Sequence, residues 1–185
     1  MYLIVGLGNP EEEYAKTRHN MGFDVINKLS EKQGIKVNKN KFNSIYGTGT
    51  IEGEKVVLVK PQTYMNLSGE AVRDFKNFYK INSENIIIVY DDLDIEPGII
   101  KIRKKGGPGT HNGMKSVIGE LGSVTFPHVR IGTGMPVFKS MLISYVIEKI
   151  SEEKHKELEP AIERAAEATV EIVKSGIDIA MNKYN

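Results

Sequence analysis

The stretch YLIVGLGNP, residues 2–10, decides the fold, because it joins a short apolar run to a tight polar turn. The run shows no alternation with polar residues, which is typical of a strand covered on both faces. Two further runs have the same character: KVVLV at residues 55–59 and IIIVY at residues 86–90. We therefore predict buried strands at these three places.

Helical patterns lie between and after these strands. An apolar stripe follows Ser68, which we predict to cap its helix. A long final helix ends at Gly176, and Pro160 predicts a short helix before it and the long one after it. This alternation of strands and helices predicts an α/β fold, with a mixed, mostly parallel, twisted sheet flanked by helices in a single three-layer domain over residues 1–185.

The composition is that of an ordinary globular chain. Its 185 residues are 40% hydrophobic and 26% charged, with a formal net charge of +1. Because that charge is small, any nucleic-acid-binding surface must come from local clustering. Cysteine is absent, which excludes disulfides, a thiol nucleophile and thiolate metal sites, and fits a cytoplasmic protein. The N-terminal apolar run is too short to span a membrane.

Polar side chains follow three of the predicted strands at the points where the strands end. Asn9 follows the first run, Asn66 follows KVVLV after a short connection, and Asp91 directly follows IIIVY. In open α/β sheets, ligands bind beyond the carboxyl ends of the strands. We therefore expect these side chains to line one site.

The segment YAKTRHNMGF, residues 14–23, places His19 just before a helix. We predict that this helix begins near Asn20, whose side chain would cap it. The sequence has no GxSxG or SxxK motif for a serine nucleophile. A catalytic His19 would therefore act as a general base on water, and a carboxylate such as Asp91 would fix its tautomer and stabilise the imidazolium.

Two glycine-rich segments invite nucleotide-binding interpretations. GLGNPE, residues 6–11, has a glutamate where the dinucleotide fingerprint needs a third glycine or alanine, so we reject that function. GGPGTHNG, residues 106–113, lacks the GK[ST] of a P-loop. It predicts either a flexible turn before a helix capped by Asn112, or a mobile loop that lets a nucleic acid come close.

The stretch KIRKK, residues 101–105, predicts a strand whose basic residues, including Arg103, share one face. Such a face could follow a phosphate backbone, but an edge strand protected from aggregation by its lysines explains the same residues. HVRIGTG, residues 128–134, predicts another strand. His128 and His155 have no supporting context, and we place both on the surface.

Together these motifs resemble the bacterial peptidyl-tRNA hydrolase family over essentially the full chain. Each motif alone is weak, but their order and spacing are specific. The matching segments are LIVGLGNPEEEYAKTRHNMGF (residues 3–23), KPQTYMNLSGEAV (60–72), YDDLDIEPG (90–98), GTHNGMKSVI (109–118) and RIGTGMP (130–136).

The resemblance implies hydrolysis of the ester that joins a peptide to the 3′-terminal ribose of tRNA, which recycles tRNA from aborted translation. It implies that His19 is the catalytic base, that Asp91 holds and polarises it, and that Asn9 contacts the peptide backbone beside the ester. Asn66 and Asn112 would orient substrate and water. The protein would be a monomer whose partner is peptidyl-tRNA, with no DNA, no membrane, no metal and no organic cofactor.

The resemblance also implies contacts to the tRNA. Tyr14 and Tyr64 would line the end of the acceptor, and Arg103 and Arg130 match basic positions that grip its terminal phosphate. The glycine-rich loop and residues 140–147 would flank the cleft as movable walls.

Several positions depart from the family pattern. Pro108 and Thr110 stand where a small or polar residue and a glycine are usual, so Pro108 should stiffen the loop. His128 and Val129 replace an arginine–leucine pair, which weakens part of the basic surface. Tyr64 replaces the commoner phenylalanine and adds a hydroxyl group.

Two other functions stay open. A relative that keeps the fold but only binds RNA would need neither His19 nor Asp91, so their presence argues against it. A metal-dependent hydrolase could use the acidic turn DDLD, residues 91–94, with His19 or His111. However, the sequence has no metal-ligand spacing such as HExxH.

Overall fold

One seven-stranded sheet forms the centre of the protein, whose computed structural model describes residues 1–185. The strands are β1 (Tyr2–Gly6), β2 (Lys39–Lys41), β3 (Ser44–Ile51), β4 (Glu54–Pro61), β5 (Ile86–Asp92), β6 (Ile100–Arg103) and β7 (His128–Gly132). Their order across the sheet is β2-β3-β4-β1-β5-β7-β6. The central strands β4, β1, β5 and β7 run parallel, whereas β2, β3 and β6 pair antiparallel with their neighbours.

Helices cover both faces of this sheet. They are α1 (Met21–Gln33), α2 (Ser68–Tyr79), α3 (Asn112–Leu121), α4 (Leu142–Ile147), α5 (Glu152–Ser175) and α6 (Ile177–Tyr184). One apolar cluster lies between the sheet and α1, α5 and α6, and a second lies under α2 and α3. In β1, Ile4 belongs to the first cluster and Leu3 and Val5 to the second, so consecutive side chains are all buried. The predicted three-layer α/β fold with a mixed sheet is confirmed.

Two glycines bring the start of α1 against the carboxyl end of the sheet. A Cβ on Gly6 would lie 2.0 Å from the carbonyl oxygen of Gly22, and a Cβ on Gly22 would lie 2.5 Å from the carbonyl oxygen of Val89. Neither position accepts a side chain, because the contacting atoms belong to the backbone. The turn that carries His19 immediately before α1 is thereby held beside the end of β5, where Asp91 lies.

The predicted break at Pro160 is wrong, because α5 runs unbroken from Glu152 to Ser175 with Pro160 inside it. Proline removes one helical hydrogen bond, that to the carbonyl of Lys156, and both residues lie on the exposed side where water can reach that carbonyl. Buried side chains before and after the proline, including Leu158 and Ile162, keep the helix against the sheet. None of the helices, α5 included, offers the apolar length that crossing a membrane requires.

Two predicted helix caps are also wrong, although the helices begin where expected. Ser68 is the first residue of α2, and its hydroxyl donates to the carbonyl of Met65 rather than capping the helix. Asn20 precedes α1, but its side chain makes no capping bond. Each side chain bonds to an earlier part of the chain instead: Ser68 to the carbonyl of Met65, and Asn20 to the backbone of Asn9.

His155 does not have the plain surface position that was predicted. It is half-buried between α5 and α1, with Nε2 3.7 Å from a carboxylate oxygen of Asp24. Burial raises the pKa of Asp24 to about 6, against the opposing charges of His155 and Lys60. This contact therefore belongs to the packing of α1 on α5.

Candidate active site

Two histidines from different segments meet on one buried carboxylate at the carboxyl edge of the sheet. His19 lies in a short 3₁₀ turn before α1, Asp91 lies near the end of β5, and His111 immediately precedes α3. Nδ1 of His19 lies 2.9 Å from Oδ2 of Asp91, and Nε2 of His111 lies 2.9 Å from Oδ1. The two imidazole rings are 4.7 Å apart, so the three groups form one compact cluster.

Asp91 fixes the tautomer of His19. An ionised carboxylate only accepts hydrogen bonds, so Nδ1 of His19 carries the proton and Nε2 keeps its lone pair. Burial lowers the pKa of His19, but the charge and hydrogen bond of Asp91 outweigh it, and the pKa is raised above its usual 6.5. Nε2 makes no hydrogen bond to the protein, and the residue lines a cavity. This is the geometry of a general base.

His111 is held in the opposite role. Its Nδ1 accepts a hydrogen bond from the backbone N–H of Met114 and so caps α3, at 3.2 Å. Nδ1 is therefore unprotonated, and the proton on Nε2 is donated to Asp91. Asn112 was predicted to cap this helix, but the cap is His111. Asn112 is the first helical residue and is exposed.

Asp91 is kept ionised by these two donors. Its side chain is only 2% exposed, and burial alone raises the pKa of a carboxyl group. His19 and His111 reverse this effect and hold the pKa of Asp91 well below its usual range. A permanent negative charge thus lies behind the candidate base, where it can stabilise the imidazolium that forms when His19 takes a proton.

The cluster has the composition of a metal site but not its proton arrangement. One atom each from His19, Asp91 and His111 lie within 4.8 Å of one another. A histidine ligand needs a free lone pair on the coordinating nitrogen, and Nε2 of His111 carries a proton because Nδ1 is used as the helix cap. Metal binding here would cost α3 its cap, so the donor set suits hydrogen bonding to Asp91 better than coordination.

Asn9 is clamped so that only its amide NH₂ group remains free. The side chain of Asn20 accepts from the backbone N–H of Asn9 and donates to its carbonyl, at 2.8 and 2.9 Å. The side-chain oxygen of Asn9 accepts from the backbone N–H of Met65 at 2.8 Å. The Nδ2 hydrogens of Asn9 are left to donate into the cavity that this residue lines.

A cavity of about 630 Å³ opens in front of this cluster. Its far wall is apolar and comes mainly from α4, through Leu142, Ile143, Val146 and Ile147. Arg18, the residue before His19, fastens that wall by donating to the carbonyl of Tyr145 and to Glu148, both at 3.0 Å. The cavity therefore combines a polar side, on which the positions of the protons are fixed by hydrogen bonds, with one apolar wall.

The comparisons with known proteins agree with this geometry. The family model described as peptidyl-tRNA hydrolase matches residues 3–185. The chain belongs to the peptidyl-tRNA hydrolase family. It is 55% identical over its whole length to the peptidyl-tRNA hydrolase of Caldanaerobacter subterraneus subsp. tengcongensis, which it also covers completely. It is 49% identical to that of Clostridium novyi, covering 100% of this chain and 98% of the relative.

A solved member of the family has the same fold. The crystal structure of peptidyl-tRNA hydrolase from Acinetobacter baumannii superimposes with a TM-score of 0.94 at 40% identity, covering 100% of this chain and 94% of that chain. The resemblance inferred from the five sequence segments is thus confirmed over the full length.

Most of the residues predicted for a peptidyl-tRNA hydrolase site meet around the cavity. Those lining it are Asn9, His19, Tyr64, Asn66, Asp91 and Asn112. Tyr14, Arg103 and Arg130 do not line it. The structure also adds two residues that were not predicted for a hydrolase site without a metal: His111, which binds Asp91 and was considered above only as a metal ligand, and Asn20, which clamps Asn9.

Tyr64 sits on the rim in an unusual backbone conformation. Its φ of 62° and ψ of 157° fall in a region that is essentially restricted to glycine. The hydroxyl that this chain has in place of the commoner phenylalanine donates to the carboxylate of Glu11. This bond, and the one from the backbone N–H of Met65 to Asn9, hold the strained residue and the residue after it against the segment that follows β1.

The two arginines differ in how free their charges are. Arg103 is exposed at the end of edge strand β6 and bonds only to the carbonyl of Ile102. Arg130 on β7 is partly buried, with Nη1 3.6 Å from a carboxylate oxygen of Asp92. A Cβ on Gly106 would lie 2.3 Å from Nη2 of Arg130, so this arginine packs directly over the start of the glycine-rich loop.

Proposed function

We propose that the chain hydrolyses the ester between the peptide and the 3′-terminal ribose of tRNA in peptidyl-tRNA, using water activated by His19. The observation that carries this proposal is the His19–Asp91 pair, which leaves Nε2 of His19 open to the cavity. An RNA-binding protein without catalysis would need no such ordered pair. The reaction would release tRNA from peptides whose translation was aborted.

The chemistry follows from the protonation states. Nε2 of His19 takes a proton from water while the water oxygen bonds to the ester carbonyl carbon, and Asp91 stabilises the imidazolium. The tetrahedral intermediate then collapses, the bond from the acyl carbon to the ribose oxygen breaks, and the imidazolium returns the proton to that oxygen. The products are a peptide carboxylic acid, which ionises, and tRNA with a free ribose hydroxyl.

Neutral amide donors surround the reacting centre. The free NH₂ group of Asn9 is placed to donate to the peptide backbone beside the ester, which would distinguish an acylated amine from a free one. Asn66 and Asn112, both exposed on the cavity wall, would orient the carbonyl and the water. A donor to the developing oxyanion contributes roughly 3–4 kcal/mol, and asparagine supplies it without adding charge beside a polyanion.

The tRNA would approach from the side of Tyr64. The exposed Tyr64 ring, with Tyr14 close enough to influence its pKa, would line the acceptor end. Arg103 and Arg130 would hold the terminal phosphate. Because Asp92 lies near Arg130, we expect Arg103 to contribute more to binding. The apolar wall from α4 would face the nascent peptide.

We further propose that residues 1–185 work as one domain and one monomer in the cytoplasm, with peptidyl-tRNA as the partner. No metal and no organic cofactor is needed, since the proton transfers above use only side chains and water.

The substrate assay tests this proposal directly. We expect N-acetylated aminoacyl-tRNA to be cleaved to tRNA and N-acetyl amino acid, while the same tRNA with an unblocked aminoacyl group is left intact. The measurement is the release of labelled amino acid, repeated after exhaustive chelation, which should not change the rate. Binding without cleavage would favour the RNA-binding alternative, and loss of activity on chelation would favour the metal-dependent one.

Arg103→Ala should weaken tRNA binding without changing the chemical step. A guanidinium that neutralises a phosphate releases counterions from the RNA, and each such contact steepens the dependence of affinity on salt. Loss of one contact should therefore reduce the slope of log affinity against log salt concentration by about one. The measurement is a salt series of tRNA affinities, with Lys174→Ala near the end of α5 as the matched control for removing one cation. An unaltered slope would make Arg103 an ordinary edge-strand residue.

A further inference from the structure

A chain of hydrogen bonds that starts from two buried side chains lies behind the site and is not explained by the chemistry above. The hydroxyl of Tyr90 lies 2.9 Å from Nδ1 of His128, and Nε2 of His128 lies 3.2 Å from the carbonyl oxygen of Val124. The same carbonyl accepts from the backbone N–H of Gly106 at 3.2 Å. Tyr90 and His128 are 3% and 0% exposed, so these two side chains are closed to solvent, whereas Val124 lies at the surface.

The direction of every proton in this chain is fixed. A carbonyl oxygen only accepts, so Nε2 of His128 carries the proton and donates to Val124. Nδ1 is then a lone pair, and the Tyr90 hydroxyl donates to it. Burial lowers the pKa of His128 to about 4 and raises that of Tyr90 to about 12, so both groups stay neutral over the working range.

One end of the chain contacts His111, and the other end anchors the loop that leads to it. At one end, Tyr90 immediately precedes Asp91, and its ring packs edge-on against the His111 ring with centroids 5.2 Å apart. At the other end, Gly106 opens the glycine-rich loop that leads to His111. The guanidinium of Arg130 lies over Gly106, and a side chain at that position would displace it. The His128 ring stacks on the Phe126 ring, with centroids 4.4 Å apart and an angle of 9° between the ring planes, which fixes the orientation of the imidazole.

We propose that His128 is a positioning residue for the active site: through Tyr90 and the Gly106 anchor it fixes His111 against Asp91. His128 does not line the cavity, so it acts only through these neighbours. The inference rests on the proposed function, in which Asp91 must be aligned with His19. It also gives a role to a residue that stands where the family commonly has an arginine, and it corrects the surface position predicted for His128.

Three variants separate positioning from stability. Tyr90→Phe removes only the hydroxyl. His128→Gln can keep a donor near the Nε2 position but loses the acceptor for Tyr90, whereas His128→Asn can keep an oxygen acceptor near the Nδ1 position. We expect Tyr90→Phe and His128→Gln to lower kcat by roughly 3- to 10-fold, the size of one buried hydrogen bond, with KM changed less than twofold. His128→Asn should recover part of the loss.

Two measurements decide the outcome. Long-range ¹H–¹⁵N spectra of the four histidines should show His111 as the Nε2–H tautomer in the wild type, with its ring resonances shifted and broadened in Tyr90→Phe because the ring is held less firmly against Asp91. An unchanged kcat and an unchanged His111 spectrum in Tyr90→Phe, even with a lowered Tm, would overturn the proposal. The wild-type substrate assay and its loss in His19→Ala, run on the same preparations, test the proposed function separately.

Discussion

His19→Ala is expected to lower kcat on N-acetylated aminoacyl-tRNA by at least about 10²- to 10⁴-fold, the usual contribution of a general base. The loss follows because Nε2 of His19 is the one cluster nitrogen with a free lone pair, while Nε2 of His111 is a locked donor. tRNA affinity should stay the same, since the proposed tRNA contacts lie on other side chains. Single-turnover kinetics and tRNA binding measure the two effects separately.

A matched control removes a histidine outside the site. His155→Gln, on α5, should keep the wild-type kcat because His155 faces Asp24 and not the cavity. Turnover retained in His19→Ala, with the control also active, would remove His19 from the mechanism. Equal losses in both variants would point to folding rather than to catalysis.

Asp91→Asn is expected to lower kcat by roughly 10²- to 10⁴-fold while the fold is kept. His111 is fixed as an Nε2–H donor, so the oxygen of the new amide must face His111 and its NH₂ group must face His19. Nδ1 of His19 then has to accept, and its proton moves to Nε2. The residue is left in the wrong tautomer to act as a base.

The same variant should shift the pH dependence of the residual activity. The carboxylate raises the pKa of His19 against the effect of burial, and a general base works only above its pKa. Removing the negative charge should therefore move the acidic limb of the kcat/KM profile to lower pH. A profile with its acidic limb unmoved would break the proposed pairing. Asp92→Asn, one residue further along β5, is the matched control, because Asp92 does not line the cavity.

The sequence predicted the sheet and part of the site for a definite physical reason. Strands buried on both faces are continuous apolar runs, and parallel strands end at one edge, so Asn9 and Asp91 had to converge. His19 joined them because close packing of Gly6 on Gly22 brings the start of α1 to that edge. The contacts that complete the site depend on tertiary structure instead.

Three features of the site could not be predicted from local sequence. Capping by His111 was missed because asparagine is the commoner cap and Asn112 stands next to it. The clamp of Asn20 on Asn9 joins residues 11 apart, and each looked like a turn or cap residue on its own. His128 was placed on the surface because the local sequence gives no sign that its side chain is buried and bonds to Tyr90 on the neighbouring strand β5.

The most direct test of the central claim compares two pKa values in the wild-type protein. The pKa of the His19 ring, followed by NMR from pH 5 to 9, should lie above 6.5 and coincide with the acidic limb of kcat/KM for N-acetylated aminoacyl-tRNA. That agreement would identify the ionisation of His19 with the loss of activity. An acidic limb that lies at a pH where His19 does not titrate would contradict the account.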